Sequence, residues 1–269
     1  MADEALIALQ VADLPHALDM FVHGAQDQFV SRQLREEGIW EPYETTLLLS
    51  LLRQGDVFVD VGANIGYFSL LAAARVGEEG AVIAIEPDPE NCRLLRQSLK
   101  HNGLASRVQL VEGALSDADG AGELYLSEDN LGDHQIYSDG TGRSAVSIAL
   151  YNGSDLLAPL TPRIDVMKVD TQGSEWQVMQ GIAPLLERQD TTPHIMIELT
   201  PFSLAQAGSS GRELIELLDA LCESMWIIDH VEHRLVPCEA EALAVWCDNV
   251  AATPGDRGFM NILAGPPLG

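Results

Sequence analysis

Basic residues are scarce. Lys and Arg number 15 against 41 Asp and Glu in 269 residues, which gives a formal charge of −26. That average field repels a phosphate backbone and an anionic bilayer, so neither nucleic acid nor a membrane is expected as a partner. Cysteine is sparse as well. Cys92, Cys222, Cys238 and Cys247 are scattered, with no C-x-x-C pair and no histidines at zinc-finger spacing. Free thiols in a reducing cytoplasm are expected rather than a disulfide scaffold or a zinc module. No apolar run approaches the roughly 20 residues that span a bilayer. The start, MADEALIALQ, lacks the basic region and long apolar stretch of a secretory leader, so the expected location is cytoplasmic. No glycine-rich turn ends in Lys-Ser or Lys-Thr, which removes the P-loop from consideration.

What is present is a packed α/β chain. A hydrophobic fraction of 46% supports a core without covalent staples, and the length fits one large domain with extra elements at its ends. Short apolar runs read as strands at Asp56–Val61, Ala81–Ile85, Val108–Val111, Ile164–Val169 and His194–Leu199. Helical periodicity lies between them at Tyr67–Arg75, Pro89–Asn102, Glu175–Leu186 and Arg212–Ser224. Trp226–Asp229 and Phe259–Ala264 supply two closing strands. Apolar strands alternating with amphipathic helices predict a parallel sheet covered on both faces. Ligands then sit beyond the carboxyl ends of the strands, here Asp60–Gly66, Glu86, Ala114–Asp117, Asp170–Glu175 and Glu198–Pro201. The polar, Gly/Asp/Ser-rich stretch Leu126–Val146 breaks the rhythm and reads as a functional loop. Residues 1–50 read as an N-terminal helical cap, with Leu6–Val22 as a helical segment, and 51–269 as the ligand-binding domain.

The strongest local signal is Asp60-Val61-Gly62-Ala63-Asn64-Ile65-Gly66 on a strand-to-helix turn. Gly62 permits a tight turn, Gly66 allows close approach, and Asn64 tolerates left-handed backbone. The outer glycines of a dinucleotide fingerprint are five apart, whereas Gly62 and Gly66 are four apart. Glu86, at the end of the next strand, can accept hydrogen bonds from both hydroxyls of a ribose. With Asp60, it suits a ligand that carries positive charge and no phosphates.

These residues resemble a known family. FVDVGANIGYFSLLAA (Phe58–Ala73), IEPDPENCRLL (Ile85–Leu95) and VMKVDTQGSEWQVMQG (Val166–Gly181) are similar to the FkbM-type methyltransferases. GIWEPYET (Gly38–Thr45) and IMIEL (Ile195–Leu199) fit the same pattern, and the resemblance runs from about Val30 to Leu204. It implies a Rossmann-like class I methyltransferase fold, with a seven-stranded, mostly parallel sheet whose last strand inserts antiparallel. It also implies S-adenosylmethionine as donor and O-methylation of sugars, glycans or natural products. By position, Gly62, Ala63, Asn64 and Gly66 would lie against the methionine part, and Asp60 and Glu86 would join them, Glu86 on the ribose. Ala114, Leu115 and Asp117 would flank the adenine, and Tyr43 and Glu44 would close over the cofactor. Many members carry E-G-x-E after the fourth-strand aspartate; here Gln172 takes the place of a carboxylate.

Methyl transfer to a hydroxyl needs in-line alignment and gains from a base. His134, in the polar loop, and Asp170, at a strand end, are the candidates for that base. Asn130 and Glu198 are candidates for binding the acceptor, with residues 1–50 and 126–146 forming its pocket. Glu198 with Asp170 would also suit Mg²⁺, although no local metal motif accompanies them. Glu175 reads as a stabiliser of the following helix, and His194, His230 and His233 as structural or exposed. Three other readings stay open: N-methylation on the same fold, a catalytically silent cofactor-binding protein, and an NAD-dependent oxidoreductase. The oligomeric state is open too, since the N-terminal segment can pack on its own domain or on a second copy.

Overall fold

The computed structural model describes residues 4–128, 130–138 and 140–268, so Asp129 and Asp139 of the expected loop lie outside the described residues. The chain opens with a hairpin, β1 (Glu4–Ala8) and β2 (Asp19–His23), then α1 (Val30–Glu37) and α2 (Pro42–Leu51). The α/β alternation follows as β3 (Val57–Val61), α3 (Tyr67–Val76), β4 (Ala81–Glu86), α4 (Pro89–His101) and β5 (Val108–Glu112). Next come β6 (Ala114–Ser116), β7 (Gly120–Tyr125), β8 (Ala145–Asn152) and α5 (Gly153–Leu157). The last third holds β9 (Val166–Val169), α6 (Glu175–Leu186), β10 (His194–Leu199), α7 (Pro201–Gln206) and α8 (Gly211–Leu221). It closes with β11 (Ser224–Asp229), β12 (Arg234–Pro237), α9 (Ala240–Ala252) and β13 (Met260–Gly265).

Local chemistry sets these boundaries. Asp88 caps α4, accepting the backbone N–H groups of Glu90 and Asn91 at 2.9 and 2.8 Å, with Pro89 at the first helical position. Ser210 caps α8, its Oγ accepting the Glu213 N–H at 3.2 Å and donating to Glu213 Oε2 at 2.8 Å. The residues of β3 and β9 are buried throughout, as strands covered on both faces must be.

Among the described residues, eight strands form the central sheet in the order β12-β11-β13-β10-β9-β3-β4-β5. Strands β10, β9, β3, β4 and β5 run parallel, and β13 inserts antiparallel between β10 and β11. The expected seven strands are therefore present, and β12 adds an eighth as the hairpin partner of β11. The helical reading of Leu6–Val22 is corrected: the segment is most of the β1–β2 hairpin. Alternating burial along both strands shows a period of two, which turns one face onto α4. Ser98 of α4 and Asn102, which caps its C-terminus, accept the N–H groups of Phe21 and Asp19, at 2.9 and 3.0 Å.

The pleat sorts the core into two layers. Phe58, Val166, Met196 and Leu263 face α2, α3, α4 and the hairpin, while Val59, Val61, Met167, Val169, Ile195 and Ile197 face α6, α8 and α9. The same period carries Asp60, Lys168, Asp170 and Glu198 to the α2 side of the sheet at its carboxyl end. Asp60 pairs in register with Lys168, and Glu198 with Asn261. The expected loop at 126–146 is the arm of the β7–β8 hairpin; its tip folds back over the glycine turn, where Asn64 Nδ2 reaches the Leu131 carbonyl at 3.4 Å.

Candidate functional site

Two adjoining cavities open at the carboxyl ends of β3, β4, β9 and β10. The first, about 540 Å³, has apolar walls from Val61, Ile85, Leu115, Leu124, Leu131 and Ile136, with Glu86, Asn91 and His134 as its polar groups on that side. The second, about 990 Å³, is lined by Phe29, Trp40, Phe68 and Phe259 and by Glu41, Asp60, Lys168, Asp170 and Glu198. Gly62, Asn64, Gly132, Asp170 and Gln172 line both and form the wall between them.

The glycine turn makes this geometry. Gly62, Asn64 and Gly66 all have positive φ, at 82°, 51° and 87°. A Cβ on Gly62 would collide with the Asp170 carbonyl, and one on Gly66 with the Leu95 side chain. Gly62 thus lets β3 approach the end of β9, while Gly66 seats α3 on α4.

Glu86 is 5% exposed. Its Oε2 accepts the Asn64 N–H at 2.7 Å, and its Oε1 accepts the Asp88 N–H at 2.9 Å and Asn91 Nδ2 at 3.3 Å. Burial pushes its pKa up to about 7. A carboxylate offers about four acceptor positions, so these three donors leave room for a ligand hydroxyl. No Lys or Arg lines this first cavity among the described residues, which leaves it poorly matched to a pyrophosphate.

The second cavity is an ion cluster built around one ammonium. Lys168 Nζ donates to Asp170 Oδ2 at 2.7 Å and sits 4.8 Å above the Phe68 ring. Burial opposes its charge, but the carboxyls of Asp170, Glu41 and Glu44 outweigh that and raise its pKa. Burial likewise opposes ionisation of Asp170, yet the neighbouring Lys168 holds it below the ordinary carboxylate value. The other acids are pushed the opposite way by burial: Asp60 to about 6, Glu41 to about 8, and Glu198 well above its ordinary value, with Asp170 adding repulsion. Gln172 bridges two of them, its Nε2 donating to Asp170 Oδ1 at 2.8 Å and to Glu198 Oε2 at 2.7 Å. Its φ of 55° is held by a loop whose N–H groups at Thr171 and Gly173 bond the Glu175 carboxylate, at 2.9 to 3.0 Å.

Two consequences are measurable. Glu41, Asp60 and Glu86 bind protons more tightly folded than unfolded, so the folded state carries the excess of protons between about pH 4 and 8. Stability therefore falls as pH rises through that window. The melting temperature is expected to be higher at pH 5 than at pH 8.5, with Glu41→Gln narrowing the difference. At Gln172 a donor is required. Gln172→Glu should cost roughly 1–3 kcal/mol at pH 8 by removing that donor between two acceptors, and less at pH 5, in urea titrations.

The sequence-read residues divide between these cavities. Gly62, Asn64, Glu86, Ala114, Leu115, His134 and Asp170 line the first; Asp60, Ala63, Asn130 and Glu198 line the second. Asp117, just past the end of β6, is exposed and lines neither cavity. Glu44 is not on the first cavity either: it is buried against Asn261 and His230, beside the Lys168 cluster. Tyr43 stacks on His233 at 5.6 Å rather than over the cleft. Gly66 serves helix packing. His134 Nδ1 accepts the Ser127 N–H at 3.0 Å, and burial lowers its pKa, so the neutral ring keeps its proton on Nε2. The Asp170–Glu198 gap that would suit Mg²⁺ is bridged by the Gln172 amide, and no group of three or more metal-ligating side chains occurs among the described residues. Sequence reading missed Trp40, Glu41, Phe68, Gly132 and Lys168. A charged residue inside the otherwise apolar β9, two places before Asp170, was the available signal for Lys168. No helix among the described residues is long and apolar enough to cross a membrane.

The family model of the FkbM methyltransferase domain matches residues 60–224. Hexuronic acid methyltransferase AglP of Haloferax volcanii is 26% identical over 224 residues, which covers 79% of this chain and 84% of that protein. Ribosomal protein L11 methyltransferase of Pelotomaculum thermopropionicum is 37% identical over 82 residues, 30% of this chain, and the match spans only 26% of that protein's length. A solved rRNA methylase from Streptococcus thermophilus aligns with a TM-score of 0.46 at 10% identity, over 84% of this chain and 96% of that one.

Proposed function

The chain belongs to the FkbM family of S-adenosylmethionine-dependent methyltransferases, and from that premise we propose that it methylates a hydroxyl of a neutral, polyhydroxylated small molecule such as a sugar or glycan. One observation carries the reading: of the five residues on the wall between the two cavities, only Asp170 is ionisable. A group that takes a proton at the point of transfer has to stand there.

The first cavity fits the cofactor. Glu86 would hold the ribose hydroxyls, and Ala114 and Leu115 would flank the adenine. Gly62 and Asn64 would face the methionine part, with His134 as a hydrogen-bond donor at the cavity wall. When bound, S-adenosylmethionine supplies an electrophilic methyl group on a sulfonium. The chain's own residues do the rest. Asp170 accepts the proton of the acceptor hydroxyl, its carboxylate held in place by Lys168 and Gln172. Trp40, Phe68 and Phe259 give the second cavity an apolar wall beside its ion cluster.

The acceptor's neutrality follows from charge. Lys168 is the sole basic side chain lining the second cavity among the described residues, and Asp170 already pairs it. A carboxylate would find no free cation there. Burial holds Glu41 at about 8, so near neutrality it keeps its proton and suits hydroxyl and ether oxygens, and its Oε2 is buried without a partner. AglP methylates a hexuronic acid by name; the sugar class carries over to this chain, and the acid does not. The formal charge of −26 disfavours a nucleic-acid acceptor.

The test is transfer of a labelled methyl group to a panel of neutral sugars, uronic acids and amino sugars. Label in an alkali-stable ether on a neutral sugar is the expected result. Label in an alkali-labile ester or on nitrogen would overturn the hydroxyl assignment.

A further inference from the structure

We propose that His23, on the N-terminal hairpin, is a positioning residue for the cofactor's ribose, acting through Asn91 on Glu86. His23 lies outside the segment matched by the family model and outside both cavity linings, and nothing in the transfer chemistry calls for it. It is nonetheless buried, with 2% exposure, and Asn91 is buried equally. His23 Nε2 bonds Asn91 Oδ1 at 2.8 Å, and Asn91 Nδ2 donates to Glu86 Oε1 at 3.3 Å. Asn91 Oδ1 can only accept, so the imidazole carries its proton on Nε2.

That single donor decides which way the Asn91 amide points. With the amide turned over, its oxygen would face a Glu86 carboxylate oxygen, acceptor against acceptor. With His23 donating, the amide N–H₂ group is directed at Glu86 and holds its carboxylate plane. Each end of the chain of contacts is itself anchored. The Arg35 guanidinium donates to the carbonyls of His23 and Gly24, the latter at 2.8 Å, fixing the end of β2. Asn91 sits in the first turn of α4, where its own N–H bonds Asp88 at 2.8 Å. The hairpin, remote in sequence from the glycine turn, therefore orients one of the three donors that hold the carboxylate facing the ribose diol. Outer-shell partners of this kind are expected to act on affinity rather than on the chemical step.

The inference rests on Glu86 holding the ribose, and the experiment separates the two. Calorimetry would compare S-adenosylhomocysteine with its 2′,3′-dideoxy analogue on wild type, Glu86→Ala, His23→Leu and His23→Gln. Wild type should prefer the diol, and Glu86→Ala should lose that preference. His23→Leu should lose roughly tenfold in affinity for S-adenosylhomocysteine while binding the dideoxy analogue almost unchanged. His23→Gln, whose amide N–H₂ takes the place of Nε2–H, should restore the preference. If His23→Leu does not fold, His23→Asn, too short to reach Asn91, makes the same comparison. Equal weakening of both ligands, or an unchanged preference, in the His23 variant would overturn the positioning role. A Glu86→Ala variant that kept the preference would overturn the ribose assignment and the inference with it.

Discussion

Replacing Glu86 with Ala is expected to lower affinity for S-adenosylhomocysteine by a factor on the order of 100, about 3 kcal/mol at 1.4 kcal/mol per tenfold. The lost carboxylate faces the first cavity from beneath 5% exposure and is set in place by three protein donors before any ligand arrives. Its hydrogen bonds to a ribose diol would be charge-assisted, the strong kind, and made without reorganisation. Acid should weaken them. Burial holds Glu86 at about 7, so affinity should fall as pH drops from 8 to 6 in wild type. Glu86→Gln should lack that dependence. The same titration with NAD separates the families that share a strand, a glycine turn and a second-strand acid. Absence of NAD binding is expected, because no Lys or Arg lines the first cavity among the described residues. NAD binding with no response to S-adenosylhomocysteine would sink the cofactor assignment.

Lys168→Met should be the most destabilising single change at the site, costing about 3–5 kcal/mol at pH 8 by urea denaturation. Its ammonium is 2.7 Å from Asp170 and is the counter-charge for Glu41 and Glu44 as well. Removing it leaves the Asp170 carboxylate, 28% exposed, without its counter-charge. Without that ammonium Asp170 holds its proton more tightly, and methyl transfer should drop with it. The stability cost should shrink toward pH 5, where protonating Asp170 removes the unpaired charge. The double variant Lys168→Met, Asp170→Asn should recover most of the stability, since no buried charge is left unpaired, while activity stays low. Recovery of activity in the double variant would remove Asp170 from the proton-accepting role; unchanged stability in Lys168→Met alone would mean that solvent reaches this cluster.

Part of this site was legible in the sequence because it is local. The left-handed turn Gly62–Gly66 needs Gly, Asn and Gly at fixed places, and Glu86 follows at the end of the next apolar strand. Both features depend on residues within a few positions of each other. The same holds for the capped start of α4 and for the buried strands β3, β4, β9 and β10. Misreadings arose where neighbours in space are distant in sequence. Leu6–Val22 shows both apolar spacing and a polar middle, and only its packing on α4 shows that the relevant period is two. Asp117 lies two residues past a cavity-lining pair, Ala114 and Leu115, yet it is exposed and lines neither cavity.

From the sequence alone followed the alternation of strand and helix, the glycine turn with its second-strand acid, the family resemblance and the excess of acidic over basic residues. Each is a property of short segments or of composition. Tertiary structure alone decided that Lys168 is the hub of the second cavity, that Gln172 serves as a donor between two acids, and that His23 reaches Glu86 through Asn91. The reason is register. Which face of β9 meets α2, and which end of the hairpin meets α4, depend on how whole elements pack, and pairing across the sheet brings together side chains more than 100 residues apart.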